Sequence, residues 1–112
     1  VQLDALEVHA GTRRLLGPLS LRLAPGECTA LVGESGSGKS LTVQALLGLL
    51  PPGLSARGVL RHGGAEIAPV SPSHARLRGH VLGWVPQDPL AALHPLRRVG
   101  AQLVETLRHV RG

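Results

Sequence analysis

One glycine-rich segment constrains the fold of this chain more than any other feature. Residues 33–40 read Gly-Glu-Ser-Gly-Ser-Gly-Lys-Ser, which fits the pattern G-x-x-x-x-G-K-[ST]. A short apolar run, 28–32, precedes this segment, and a largely apolar stretch, 40–50, follows it. The pattern in this context predicts a strand, a phosphate-binding loop and a helix in succession.

The residue types of this loop suit phosphate binding. Glycine allows backbone conformations that aim successive N–H groups inward, at the positive end of the following helix. We expect the ammonium of Lys39, the only lysine, to reach the β- and γ-phosphates of ATP. The Ser40 hydroxyl is expected to ligate the Mg²⁺ that bridges those phosphates. The expected nucleotide-binding residues are Gly33, Glu34, Ser35, Gly36, Ser37, Gly38, Lys39, Ser40 and Leu41.

The residues before the loop predict an antiparallel hairpin. Apolar and polar residues alternate over 2–8 and 19–23, which is the period of half-buried strands, and 11–14 provides a turn. The run 28–32 is continuously apolar, which predicts a strand buried on both faces. Its Cys28 is therefore expected to be a buried core residue.

The residues after the loop predict helices and short strands. The segment 40–50 is apolar almost all round, which predicts a buried helix that ends before Pro51. A Gly63-Gly64 pair predicts a hairpin within 59–67. The remaining predictions are a loop over 67–73, a helical turn over 74–78, a second buried strand over 81–85 and an amphipathic helix over 96–110.

The composition argues against nucleic acid as a partner. The net charge of +5 comes from eleven arginines and one lysine against seven acids, and basic residues form no run longer than two. Trp84 is the only aromatic residue on which a base could stack. We interpret the charge as a solvated, arginine-rich surface. The single cysteine and the lack of any apolar run of about 20 residues predict a cytoplasmic location.

Two blocks of sequence resemble the ATP-binding cassette (ABC) family, specifically its peptide and nickel importers. The first block contains Leu19-Ser20-Leu21, Pro25-Gly26-Glu27 and the loop itself. The second contains Arg78-Gly79, Val85-Pro86-Gln87-Asp88-Pro89, Leu93-His94-Pro95, Val99-Gly100, Gln102-Leu103 and Glu105-Thr106-Leu107, in the order typical of these ATPases. The resemblance covers almost the whole chain.

The resemblance implies an α/β fold, with part of a P-loop NTPase core, an N-terminal antiparallel β subdomain and the start of a helical subdomain. It identifies Gln87 as the Q-loop glutamine, which in the family contacts the Mg²⁺ and the attacking water, so Gln87 is both the expected catalytic residue and a metal ligand. The implied divisions are 1–32 for the β subdomain and P-loop strand, 33–50 for the P-loop and helix, 51–86 for the hairpin, loop and Q-loop strand, and 87–112 for the Q-loop and the start of the helical subdomain.

The resemblance also implies a function and its partners. The chain would belong to the ATP-binding subunit of an importer for peptides or nickel, at the cytoplasmic face of the membrane, with transmembrane permease subunits and a second ATPase subunit. The family's adenine-stacking aromatic residue is missing near Ala10, and His9 is the nearest substitute. We therefore expect weak adenine affinity and loose base selectivity.

Other motifs of the family do not occur in this sequence, namely the Ser-Gly-Gly-Gln signature, the Walker B acids and the switch histidine. We expect an N-terminal portion of a longer ATPase that does not hydrolyse ATP by itself. Two alternatives stay open: a non-catalytic remnant, and a P-loop kinase of small molecules or nucleotides. The kinase would need an acceptor-binding lid, with candidates Arg76, Arg78, Arg97 and Arg98. The six histidines lack metal-ligand spacing and are interpreted as surface or structural residues.

Overall fold

Alternating apolar residues build a four-stranded antiparallel sheet in this computed structural model, which describes residues 1–111. The sheet has the strand order β2-β1-β3-β4. Its strands are β1 (Gln2–Ala10), β2 (Arg13–Arg22), β3 (Leu54–His62) and β4 (Ala65–Ile67). Because β1 and β3 lie in the middle, they contribute most of the buried side chains.

The helices are α1 (Lys39–Leu47), α2 (Pro72–Ala75) and α3 (Val99–Arg111). The chain divides into two units, Val1–Ala75 and Arg76–Gly112. The first unit contains the sheet, α1 and α2, and the second contains α3. Within residues 1–111, none of these helices combines the length and apolar character that a membrane crossing requires.

The core of the first unit is aliphatic. Leu6 and Val8 of β1 and Leu60 of β3 are buried, and α1 packs against β1 with Ala45 and Leu47 inside. Burying a leucine or valine side chain contributes about 1.5–3 kcal/mol. These side chains therefore hold the central strands and α1 together without any aromatic ring.

Both predicted hairpins are confirmed, with longer strands than expected. The strand predicted at 2–8 extends to Ala10, and its partner already begins at Arg13, so the first turn shortens to Gly11-Thr12. The Gly63-Gly64 turn joins β3 to β4 as predicted, but β3 begins at Leu54. Pairing along the whole length of β1 explains the extension of β3.

The two predicted buried strands, 28–32 and 81–85, are wrong. Apart from one bridge that involves Leu82, neither segment has strand structure, and Val32 and Val85 are each 85% exposed. Cys28 is exposed, so the expectation of a core cysteine is wrong as well. A strand buried on both faces needs hydrogen-bonded neighbours and covering layers. Within residues 1–111, the four strands of the sheet pair with one another. They provide neither hydrogen-bonded neighbours nor covering layers for the segments 28–32 and 81–85.

The helix after the loop is shorter and less buried than predicted. It ends at Leu47, before Pro51, and its C-cap Gly48 adopts a left-handed conformation and donates its N–H to the carbonyl oxygen of Ala45. Thr42 and Ala45 are buried, whereas Val43 is exposed. The expectation of burial all round is therefore wrong, because the sheet covers only one side of α1.

The other two predicted helices form at shifted positions. The turn expected at 74–78 is α2, which starts earlier at Pro72. The amphipathic helix expected at 96–110 is α3, which starts at Val99 and leaves Leu96 outside and 89% exposed. None of the described residues of α3 is buried, so its apolar stripe is uncovered.

Candidate functional site

The glycine-rich segment forms a loop that leads directly into α1. The N–H of Ser37 donates to the carbonyl oxygen of Glu34 at 3.1 Å, which closes a turn within the loop. Gly38 adopts a φ of 94° and is the N-cap of α1. A Cβ atom at Gly38 would lie 2.7 Å from Cδ1 of Leu16. Glycine at this position therefore permits both the left-handed backbone and the close approach of β2.

The Lys39 side chain folds back over this loop. Its ammonium donates to the carbonyl oxygen of Glu34 at 2.7 Å, to that of Gly33, and to Oγ of Ser37 at 3.3 Å. The salt bridges found within residues 1–111 use other cations. Neutral acceptors therefore position the positive charge of Lys39, and no described carboxylate neutralises it. A charge in this state suits an anionic ligand.

The start of α1 adds backbone donors to this charge. No side chain caps this end of the helix, and its first turn contains no acid. The first N–H groups of a helix lack partners within the helix, and they lie at the positive end of its dipole. The exposed residue Ser40 belongs to this first turn. The loop and helix together therefore form an arrangement that can bind phosphate.

A cleft of about 670 Å³ opens over the loop and the start of α1. Six predicted binding residues and Leu15 line it; the six are Ser35, Gly36, Gly38, Lys39, Ser40 and Leu41. The other three predicted residues, Gly33, Glu34 and Ser37, contact the Lys39 side chain instead. The structure therefore brings all nine predicted residues together at the loop and the start of α1, in two different positions.

Leu15 is the cleft residue that sequence reasoning missed. It belongs to β2, more than twenty positions before Lys39, and no motif links the two segments. The available signal was the pair Leu15-Leu16, which interrupts the alternation of apolar and polar residues expected of a strand.

The cleft fits a Mg²⁺ that arrives with a nucleotide. Mg²⁺ commonly keeps several waters and takes phosphate oxygens beside one or two protein ligands. Ser40 is one of the residues that line the cleft, and none of the lining residues is acidic. Across residues 1–111, no group of three or more His, Cys, Asp or Glu side chains could hold a metal ion. Ser40, in the first turn of α1, stays the predicted protein ligand of this Mg²⁺.

Gln87 lies in the second unit, in an exposed bend after residues 83–86. The following residue, Asp88, accepts hydrogen bonds at Oδ1 from the N–H groups of Leu90 at 3.2 Å and Ala91 at 3.3 Å. These bonds form a local turn that fixes the backbone after Gln87. The catalytic and metal-binding roles of Gln87 stay predictions.

His9 is unsuited to act as a stacking surface for a base. Its side chain is only 11% exposed, and its Nε2 lies 2.8 Å from Oε2 of Glu7. This hydrogen bond, with a smaller effect from the charge of Arg14, lowers the pKa of the Glu7 carboxyl. Because His9 is bound to Glu7 and does not line the cleft, the structure argues against it as the substitute for the missing aromatic residue.

Comparisons with known proteins agree with this geometry. A family model described as ABC transporter matches residues 16–107. The oligopeptide transport ATP-binding protein of Mycobacterium bovis is 44% identical over 80% of the chain, which spans 15% of that relative. The nickel import ATP-binding protein of Pseudomonas putida is 41% identical over 92% of the chain, and the chain spans 38% of it. The dipeptide transport ATP-binding protein of Bacillus subtilis is 41% identical over 90% of the chain, which covers 31% of its length.

Proposed function

Because this chain belongs to the ABC transporter family, we propose that it is the nucleotide-binding portion of an ATPase that powers the import of peptides or nickel. The relatives named above, which carry those two solute classes in their names, support this substrate range. The family match spans both the loop and the four arginines considered for a kinase lid. The kinase alternative therefore loses its support.

The observation that carries this proposal is the position of the Lys39 ammonium. Three acceptors of the loop hold it beside the uncapped start of α1, with no described carboxylate as a partner. We assign the β- and γ-phosphates of ATP to Lys39 and to the N–H groups around Gly38. Ser40 would be the protein ligand of Mg²⁺, which neutralises phosphate charge when it is bound.

Transport-coupled hydrolysis belongs to the whole protein in this proposal. Permease subunits and a second ATPase subunit would be its partners, at the cytoplasmic face of the membrane. Gln87 would contact the nucleotide-bound Mg²⁺ and report its state to the permease. The divisions 1–32, 33–50, 51–86 and 87–112 remain the proposed organisation of this portion.

The phosphate assignment is tested by titrating the chain with Mg-ATP in an isothermal calorimeter. A hydrogen bond to a charged group contributes about 1.5–3 kcal/mol, so Lys39→Ala should weaken binding by roughly 10- to 100-fold. The control is Arg22→Ala, which removes the same charge from an exposed position on β2. It should change affinity by less than about twofold, since surface charges act weakly at a distance. Titrations of Lys39→Ala and the parent that superimpose, with both proteins folded, would refute the assignment.

A further inference from the structure

We propose that Thr42 is a positioning residue of the phosphate-binding loop: its hydroxyl holds the peptide between Gly38 and Lys39 in the orientation that aims the N–H of Lys39 at the ligand. The inference rests on the proposed nucleotide site and names a side chain that acts on this site without lining the cleft. It follows from two hydrogen bonds to one carbonyl oxygen, from the planarity of the peptide, and from the burial of the hydroxyl.

The carbonyl oxygen of Gly38 accepts two hydrogen bonds from the same residue. The N–H of Thr42 donates to it at 2.9 Å, and Oγ1 of Thr42 donates to it at 2.8 Å. A threonine in a helix can direct its hydroxyl to the carbonyl group four residues earlier. Here that carbonyl group belongs to the N-cap of α1. Thr42 therefore joins the helix to the loop through both its backbone and its side chain.

The Gly38 carbonyl belongs to the same rigid unit as one of the donors of the site. A trans peptide is planar, so the C=O of Gly38 and the N–H of Lys39 point in opposite directions. Since the C=O points along α1 to Thr42, the N–H of Lys39 points back from the helix toward the ligand. Gly38 and Lys39 both line the cleft. The first N–H groups of a helix lack partners within it and can bind phosphate.

This peptide needs a restraint because of the residue on its N-terminal side. Gly38 has a φ of 94°, and glycine has no side chain that limits rotation of the backbone. The ends of helices also fray, so one backbone hydrogen bond holds such a peptide weakly. A second donor on the same oxygen opposes its rotation. The Thr42 hydroxyl therefore keeps the N–H of Lys39 in the direction that phosphate binding requires.

The burial of Thr42 shows that its hydroxyl is not needed for packing. Thr42 is 3% exposed and lies inside with Ala45, whereas Val43 is exposed. A buried hydroxyl costs free energy unless it is hydrogen-bonded, and a valine would fill the same space without that cost. What distinguishes threonine here is therefore the hydrogen bond to Gly38.

The experiment measures the binding of Mg-ATP and inorganic tripolyphosphate to the 112-residue chain by isothermal calorimetry. Thr42→Val removes the hydroxyl and keeps the branched shape. It should weaken both ligands by roughly three- to tenfold, which is part of what a hydrogen bond to a charged group contributes. The two ligands should be affected equally, because the N–H of Lys39 would contact phosphate. Thr42→Ser keeps the hydroxyl and should bind both ligands within about twofold of the parent.

Thr106→Val is the matched control. Oγ1 of Thr106 donates to the carbonyl oxygen of Gln102 at 3.0 Å, which is the same type of hydrogen bond, in α3 and outside the cleft. This variant should leave both ligands unchanged. If Thr42→Val does not fold, Thr42→Ala takes its place in the same comparison, because alanine also lacks the hydroxyl and has the highest helix propensity.

Nuclear magnetic resonance relaxation separates positioning from a general loosening of α1. In Thr42→Val, the order parameter of the Lys39 N–H should fall below about 0.85, the value of a rigid backbone. The order parameters of Ala45 and Leu46 should stay near that value. An equal decrease at all three positions would assign Thr42 a merely structural role and overturn the inference.

The binding measurements also distinguish failure of the inference from failure of the proposed function. Unchanged affinity for both ligands in folded Thr42→Val would overturn the inference and leave the proposed function standing. Equal weakening by Thr42→Ser and Thr42→Val would do the same, because the hydroxyl would not be the group that matters. Failure of the folded parent to bind either ligand would overturn the proposed function and this inference together.

Discussion

Nε2 of His74 lies 2.8 Å from the carbonyl oxygen of Leu46 and ties the short helix α2 to the last turn of α1. The other ring nitrogen, Nδ1, accepts a hydrogen bond from the N–H of Val70 at 3.0 Å. Since Nδ1 accepts, the neutral ring carries its proton on Nε2 and donates it to Leu46. His74 is 1% exposed, so both hydrogen bonds are shielded from water.

We expect His74→Ala to lower the free energy of unfolding of the first unit by about 2–4 kcal/mol, because it leaves two backbone groups unpaired and opens a cavity. The control is His62→Ala, at a half-buried position on β3, which should cost less than about 1 kcal/mol. Urea denaturation followed by circular dichroism measures both values. Equal losses in the two variants would show that the His74 hydrogen bonds contribute nothing specific.

Gly58, the one glycine of β3, is expected to be harder to replace than Gly53, which directly precedes the strand. Its φ is 120°, and a Cβ atom there would lie 2.8 Å from the carbonyl oxygens of both Asp4 and Ala5. Gly53 also has a positive φ, 84°, but a Cβ atom there meets nothing within 4 Å. Gly53→Ala should therefore cost about 1–2 kcal/mol from backbone strain alone. Gly58→Ala should cost about 1–3 kcal/mol more, because backbone must move. A lower denaturant midpoint for Gly53→Ala than for Gly58→Ala would contradict the close approach of β1 to Gly58 of β3.

The contact between Glu7 and His9 predicts a dependence of stability on pH. The hydrogen bond from His9 lowers the pKa of Glu7 below its ordinary value of 4.5 in the folded state. A lowered pKa stabilises the fold above the ordinary value, and this contribution is lost as pH falls through the folded-state pKa. Glu7→Gln should therefore be less stable than the parent at pH 7, and the difference should shrink below pH 4.5.

Unfolding free energies of the parent and Glu7→Gln, measured from pH 7 to pH 3, check this expectation. The comparison with Glu27→Gln, an exposed carboxylate outside the sheet, corrects for the general effect of removing one negative charge. A difference between the parent and Glu7→Gln that grows on acidification would have the wrong sign for a stabilising carboxylate.

Gln87 is expected to affect coupling more than nucleotide binding. In the proposed full-length importer ATPase, assayed with its proposed permease partners, Gln87→Ala should leave the affinity for Mg-ATP within about threefold, because one amide hydrogen bond contributes about 0.5–1.5 kcal/mol. Stimulation of ATPase activity by solute should fall much further, since a residue that contacts both nucleotide and a moving segment biases a two-state equilibrium. The control is Gln44→Ala, an amide of α1 that does not line the cleft. Unchanged stimulation in Gln87→Ala would leave Gln87 an ordinary loop residue.

Local patterns in the sequence were enough to predict the two hairpins, the loop and the presence of α1 and α3. Each of these features depends on neighbours in the chain: the glycine pair at 63–64 makes a turn, and alternation over 2–8 forms a strand with one buried face. The predicted phosphate-binding residues 33–41 could be proposed in the same way, because they are contiguous in the chain. Local patterns failed for the runs 28–32 and 81–85, which were predicted as buried strands. A continuous apolar run has a strand pattern, yet it becomes a strand only when other segments pair with it and cover it.

Only the tertiary structure decided how separate segments meet. The slip between β1 and β2 places Leu15 in the cleft, and His74 of α2 is buried with hydrogen bonds to Leu46 of α1 and to Val70. The sequence showed Leu15 as one strand residue among several and His74 as one of six histidines. The sequence by itself therefore determined the glycine-rich loop and its lysine, since these groups come from adjacent residues. The structure decided which distant side chains complete the cleft, because strand register and helix packing depend on contacts between residues far apart in the chain.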